Sequence, residues 1–271
     1  MYEMINESAA FIRSKIDREV QTGIILGSGL GDFVDNIRVC KRIPYREIPH
    51  FPVSTVQGHK GELIFGLVNG KGILCMQGRF HYYEGYSMQQ VTFPVRVMKQ
   101  LGVKLLITTN ASGGVNPDFK VGDIMFIKDH INLMPNPLIG PNDERLGTRF
   151  PSMSTIYDKD ILVKAENMAK RMGIAYREGV YLGTSGPSFE TPAEYRFFRT
   201  IGADTVGMST VPEVIVASHS GLKVLGMSVI SNVFREETIV DCTHEEVLQG
   251  VNKAGNSMSL IVEQLIKELD F

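Results

Sequence analysis

Apolar residues recur along this chain with two different spacings, and the switching between them lays out a fold. From Ile5 to Val20 the apolar positions Ile5, Ala9, Phe11, Ile12, Ile16 and Val20 keep the three-to-four spacing of an amphipathic helix. The run Thr22-Gly-Ile-Ile-Leu-Gly27 follows, almost wholly apolar and stopped by glycine. Runs of the same kind are Leu63–Val68, Ile73–Met76, Leu105–Thr109, Ile124–Ile127, Val180–Leu182 and Val224–Ile230. Continuous rather than alternating runs belong to strands covered on both faces. Helical spacing returns in Met88–Leu101, Ile161–Met172, Pro192–Ile201 and Val211–Ser220. It returns once more from His244 to Leu269, through Val247, Val251, Ala254, Met258, Ile261 and Leu265. Strands alternating with helices predict an α/β fold with a central, mostly parallel or mixed sheet flanked by helices.

No low-complexity linker, charge block or fixed-period repeat divides the chain, so residues 1–271 read as a single domain. Two stretches follow neither spacing. Asn132 to Ser154 carries Pro135, Pro137, Pro141 and Pro151 and reads as a long functional loop. Arg235 to Cys242 reads as a mobile connection before the last helix.

Charge and cysteine usage narrow the function classes. The 28 basic and 30 acidic side chains leave a formal charge of -2. That balance argues against the basic surface of a nucleic-acid protein. Cys40, Cys75 and Cys242 are far apart, with no C-x-x-C pair, so neither a disulfide framework nor a zinc knuckle is expected. A reducing, cytoplasmic setting fits them. Charged residues interrupt Met1–Arg18, unlike a signal peptide. No apolar window approaches the ~18 residues of a membrane span.

In an open α/β sheet a ligand binds beyond the carboxyl ends of the strands. Polar and glycine-rich segments follow the strand runs here one after another. Gly27-Ser-Gly-Leu-Gly31 reads as a phosphate cradle with Ser28 as a hydroxyl donor, or as a tight turn. It lacks the spacing of a dinucleotide fingerprint and the Lys-Ser/Thr of a P-loop. Gly58-His59-Lys60-Gly61 exposes His59, as a ligand or as a plain loop histidine. Met76-Gln-Gly-Arg-Phe-His-Tyr-Tyr-Glu-Gly85 concentrates Arg79, His81, Tyr83 and Glu84 after a buried strand. Arg79 offers a fork of donors matched to phosphate. His81 offers a donor to the same anion or to a sugar hydroxyl, and Glu84 stands near enough to orient it. A solvated loop is the plainer reading.

Thr108-Thr-Asn-Ala-Ser-Gly-Gly-Val115 leaves backbone bare around Ala111, for an anion, a flat base or merely a turn. Gly183-Thr-Ser-Gly-Pro-Ser-Phe-Glu-Thr-Pro192 sets Phe189 beside Glu190. An aromatic face and a carboxylate acceptor suit a purine; alternatively Glu190 serves the following helix dipole. Val206-Gly-Met-Ser-Thr-Val-Pro-Glu213 offers Ser209 as a second phosphate donor, or a helix start capped by Ser209 or Thr210 with Glu213 close by. Ile230-Ser-Asn-Val233 ends the last strand run on Asn232, whose amide both donates and accepts and so suits N7 and O6 of a purine, or a turn. His244 could reach a ribose hydroxyl or simply begin the last helix.

Taken in order from about Thr22 to Leu248, these segments resemble the trimeric, low-molecular-mass class of purine nucleoside phosphorylase. The most specific stretches are Met76–Tyr86, Asn136-Pro-Leu-Ile-Gly-Pro-Asn142, Gly186-Pro-Ser-Phe-Glu190 and Gly207-Met-Ser-Thr-Val-Pro-Glu213. The resemblance implies reversible phosphorolysis of (deoxy)inosine and (deoxy)guanosine in purine salvage, with phosphate as substrate and no cofactor. It implies that Ser28, His59, Arg79, His81, Ser209 and the backbone at Ala111 hold phosphate. Tyr83, Met208 and His244 would line the ribose, and Phe189, Glu190, Val206 and Asn232 the base. His81, Glu190 and Asn232 would act in catalysis. Phe150, in the long loop, would cap the ribose of a neighbouring subunit in a homotrimer. Ser112 stands where mammalian members have alanine, and Val233 where they carry lysine. Rival readings are a xanthosine or methylthioadenosine phosphorylase of the same fold, and a non-catalytic nucleotide-binding module.

Overall fold

A computed structural model describes residues 1–27, 30–55, 60–235 and 244–270, with the backbone alone at Asp32, 244–250, 252 and 253. Ser28, His59 and most of the Arg235–Cys242 connection lie outside the described residues.

Among the described residues nine strands form one sheet: β1 (Thr22–Leu26), β2 (Arg38–Pro44), β3 (Glu62–Val68), β4 (Lys71–Gln77), β5 (Leu105–Gly114), β6 (Ile124–Asn132), β7 (Arg177–Gly183), β8 (Thr205–Gly207) and β9 (Lys223–Val233). The helices are α1 (Tyr2–Arg13), α2 (Met88–Gln100), α3 (Lys159–Arg171), α4 (Pro192–Thr200), α5 (Val211–His219) and α6 (His244–Glu268). The sheet is mixed: β1 runs parallel to β4 and β5, whereas β2, β3 and β4 pair antiparallel.

Successive side chains of a strand face opposite ways, and both faces here are dry. Ile25 packs into a core shared with α1, α2 and α5. Its neighbours Ile24 and Leu26 pack into another, shared with α3 and α6. This is why the strand runs are continuous in apolar residues.

Three features depart from the sequence pattern. The first helix ends at Arg13 rather than Val20, and Val20 is buried as part of the approach to β1. Strand β2 has no apolar run because most of its residues are exposed, and pairing with β3 alone makes it an edge strand. The sheet also closes on itself. Strand β5 pairs with β8, β8 with β7, β7 with β6, β6 with β9, and β9 with β5 again. That ring of five strands carries β1, β4, β3 and β2 as an open wing. Among the described residues no helix is long and apolar enough to cross a membrane.

Candidate active site

The ends of β4, β5, β7, β8 and β9, with the loops that follow, surround one cleft of about 530 Å³. Of the residues singled out from the sequence, the cleft gathers Arg79, His81, Tyr83, Ala111, Phe189, Glu190, Val206, Met208, Ser209 and Asn232. Phe150 is not among them; it is 85% exposed beside a separate groove with Leu138, Ile139 and Met153. Ser28 and His59 fall outside the described residues, and His244 is described only as the first backbone position of α6.

Arg79 lies two residues beyond β4 and is 1% exposed. Its Nε and Nη2 donate to Oε1 and Oε2 of Glu213 at 3.1 and 2.6 Å. Nη2 also donates to Thr108 Oγ1 at 2.8 Å, and Nη1 to the Thr109 carbonyl at 2.7 Å. A guanidinium this deeply buried requires a counter-charge. Glu213, itself 2% exposed in the first turn of α5, supplies it. The fork that the sequence offers to phosphate is therefore turned onto a protein carboxylate, although Arg79 still lines the cleft.

His81 is held by the same kind of bracing. Its backbone N–H and its Nδ1 both face Glu84 Oε1, at 2.7 and 3.1 Å. The other oxygen of Glu84 accepts from Thr55 N–H at 2.8 Å and Thr55 Oγ1 at 2.6 Å. Burial works to raise the Glu84 pKa, but these hydrogen bonds from His81 and Thr55 outweigh it and hold the carboxyl at about 2. Burial lowers the His81 pKa, against the pull of Glu84 and with the push of Arg79. Burial thus favours the neutral ring, and the Glu84 carboxylate favours a proton on Nδ1. A neutral ring of that tautomer presents a lone pair at Nε2, able to accept from a P–OH or a sugar hydroxyl. Tyr83 stacks on His81 with ring centroids 4.6 Å apart, and burial pushes its phenol up to about 12, so it stays a donor.

Elsewhere in the cleft lining, Glu190 Oε2 accepts from Tyr195 Oη at 3.2 Å. Burial raises the Glu190 pKa, against hydrogen bonds from its own backbone and Tyr195 and assisted by Glu194. A Cβ placed on Gly113 would stand 3.2 Å from Tyr195 Oη and 3.5 Å from Asn232 Oδ1, so these groups share one wall. Asn232 Oδ1 and the Ser112 carbonyl lie 2.9 and 3.1 Å from Ser231 Oγ, which has one proton for the two. Sequence patterns missed Tyr195, Thr55 and the counter-ion role of Glu213. Tyr195 hides in the apolar stripe of a helix, and Thr55 has no motif around it. Among the described residues no group of three or more His, Cys, Asp or Glu is placed to hold a metal ion.

A mixed sheet whose strand ends surround a cleft lined by a buried arginine, a histidine and carboxylates defines a class of proteins that the family comparison makes explicit. The chain belongs to the phosphorylase superfamily, whose family model matches residues 21–267. Within it the chain falls among the purine nucleoside phosphorylases. It is 51% identical to purine nucleoside phosphorylase 1 of Bacillus subtilis (strain 168), over 100% of both chains. It is 49% identical to the purine nucleoside phosphorylase of Bos taurus, over 99% of this chain and 96% of that one. A crystal structure of the Schistosoma mansoni purine nucleoside phosphorylase with adenosine superposes with a TM-score of 0.94 at 42% identity, over 99% of this chain and 98% of that one. The same enzyme with inosine gives 0.93 at 41%, over 99% and 97%. The resemblance carried by the motifs thus extends over the whole chain.

Proposed function

We propose that the cleft carries out reversible phosphorolysis of inosine, guanosine and their 2′-deoxy forms, giving the free base and (deoxy)ribose 1-phosphate. One observation carries this reading. The anion-seeking groups Arg79, His81 and Ser209 and the base-reading groups Phe189, Glu190 and Asn232 open onto the same cavity. A phosphate oxygen attacks C1′ as the C1′–N9 bond breaks, and the electron pair of that bond leaves on the purine. The sugar passes through an oxocarbenium-like state, against which the phosphate supplies negative charge. Ser209 and the Ala111 backbone hold the anion, with Arg79 supplying positive charge beside it. Ser28 and His59 complete that end. Neutral His81 accepts from a P–OH or a ribose hydroxyl, and Tyr83, Met208 and His244 line the sugar.

Phe189 and Val206 sandwich the base. Ionised Glu190 accepts from N1–H, and Asn232 meets N7 and O6. Charge developing on the leaving purine strengthens these bonds at the transition state. Phe150, exposed on its own subunit, caps the ribose of a neighbour in a homotrimer. Cytoplasmic purine salvage is the setting this activity fits.

The test is phosphorolysis of a nucleoside panel with and without phosphate. Hypoxanthine should appear from inosine only when phosphate is present. Adenosine lacks N1–H and should show kcat/KM lower by about a hundredfold or more, because it leaves buried polar groups unpaired. The S. mansoni crystal structure holds adenosine, so discrimination has to be read from turnover and not from occupancy. Comparable kcat/KM values for adenosine and inosine would refute the assignment; efficient xanthosine turnover would shift it to that substrate.

A further inference from the structure

Within the cleft wall runs a chain of buried polar side chains, of which the scheme above uses only Ser209. Ser112 Oγ lies 2.5 Å from Ser228 Oγ, which lies 2.6 Å from Asn110 Oδ1. Asn110 Nδ2 lies 2.9 Å from Thr210 Oγ1, and Thr210 Oγ1 lies 3.1 Å from Ser209 Oγ. Ser112, Ser228, Asn110 and Thr210 are 3%, 0%, 2% and 1% exposed, so water does not compete for these bonds. Asn110 and Ser112 line the cleft as well, but Ser209, at the far end, is the half-buried member whose hydroxyl is more open to it.

The direction of the bonds around Asn110 follows from counting protons. A hydroxyl has one proton to give; an amide oxygen only accepts and an amide nitrogen only donates. Ser228 must therefore give its proton to Asn110 Oδ1, and Ser112 gives its own to Ser228. On the other side Asn110 Nδ2 donates to Thr210 Oγ1. Thr210 Oγ1 is thereby held between Asn110 and Ser209, and this places Ser209 Oγ at the cleft.

A second observation points to the same turn. Thr210 has φ 71° and ψ -56°, and Val211 N–H donates to the Ser209 carbonyl at 2.7 Å. This is a γ-turn of the strained, positive-φ kind, on a β-branched residue. Thr210 occupies the N-cap position of α5, yet its side chain makes no capping hydrogen bond. Its hydroxyl is given to Asn110 and Ser209 instead. The remaining polar group under the turn is Tyr181, whose hydroxyl approaches Ser209 and Thr210 without reaching hydrogen-bond geometry.

We infer that Asn110 is a positioning residue that, at the centre of the relay Ser112–Ser228–Asn110–Thr210–Ser209, holds Thr210 and through it the Ser209 hydroxyl in place for the anion. The inference rests on the reading of this end of the cleft as the phosphate site. Ser112 extends the relay by one step beyond what an alanine at that position would allow. Its loss should matter little, because Asn110 Oδ1 still accepts from Ser228.

Steady-state kinetics with phosphate varied at saturating inosine test the relay. Losing one charge-assisted bond should raise the phosphate KM about tenfold in both Ser209→Ala and Thr210→Val. The inosine KM should stay within about twofold of wild type, which general damage to the fold would not allow. Thr210→Ser keeps the hydroxyl and should restore the phosphate KM to within about twofold. Ser228→Ala, a smaller change remote from the turn, releases Asn110 Oδ1 and should raise it about threefold. It reads the relay even if Thr210→Val fails to fold. Tyr181→Phe should leave it unchanged; a rise equal to that of Thr210→Val would show that the turn answers to any lost hydroxyl, and would overturn the relay. A raised phosphate KM in Ser209→Ala with unchanged values in Thr210→Val and Ser228→Ala would overturn the relay alone. No change in Ser209→Ala would remove the phosphate site, and the relay with it.

Discussion

In the proposed scheme Glu190 must be ionised, in a place that favours its proton. Burial raises its pKa, and protonation removes the acceptor for N1–H. The activity on inosine should therefore fall as pH drops through that raised value, with an acid limb above the range of an ordinary glutamate near ~4.3. A pH profile of kcat/KM checks this, and Glu190→Ala should lose the limb. An acid limb at or below the ordinary value would contradict the role. Glu190→Ala should itself cost ~2 kcal/mol or more in transition-state binding of inosine, read from kcat/KM. Arg79 poses the opposite problem, because it is charged and buried. Deleting its partner in Glu213→Ala leaves that charge uncompensated and should lower the unfolding free energy by about 3–5 kcal/mol, measured by denaturant titration. Stability within 1 kcal/mol of wild type, or about that, would mean the pair is not structurally required. Single motifs named most of the cleft residues but not this pairing, since Arg79 and Glu213 stand 134 positions apart.

At the level of elements, the strand runs and helical stripes were legible wherever burial is two-sided or periodic. Strand β5 runs five residues past its apolar run, through Asn110 to Gly114, because β9 pairs with it there. Those extra residues form the cleft wall, so the chemistry sits where the apolar pattern stops. Strand β8 has only three residues, too few for a pattern, yet it joins β5 to β7 and closes the ring. The junction of β1 with β5 is equally tight. A Cβ on Gly27 would lie 2.7 Å from both Asn110 Cα and the Thr109 carbonyl oxygen. Backbone cannot yield as a flexible side chain does, so Gly27→Ala should destabilise the fold by ~1–3 kcal/mol and disturb Asn110. An unchanged melting curve together with an unchanged phosphate KM would show that the strands separate freely there.

For the whole molecule, the question is whether one subunit makes a complete site. Phe150 is 85% exposed and Ile139 70% exposed, two large apolar side chains beside one groove, and neither lines the subunit's own cleft. In the homotrimer proposed above, light scattering should give three times the 30.1 kDa subunit mass. Phe150→Ala should raise the nucleoside KM severalfold despite lying outside the cleft of its own chain. Mixing Phe150→Ala with Glu190→Ala subunits should restore wild-type KM at sites that combine an intact Glu190 with a donated Phe150. Absence of any restoration in verified mixed oligomers would show that each subunit is self-sufficient.

Local order of residues was enough to establish the α/β class, most strand and helix positions, and the family, because burial periodicity and short motifs are written in neighbouring positions. Folding in three dimensions settled matters that depend on residues far apart in the chain. These are the closure of five strands into a ring, the carboxylates that face Arg79 and His81, and the hydrogen bonds that meet at Asn110. Asn110 and Thr210 are 100 positions apart. No spacing rule connects two such residues, whereas the pairing of β5 with β9 and the turn into α5 bring the amide between its hydroxyls.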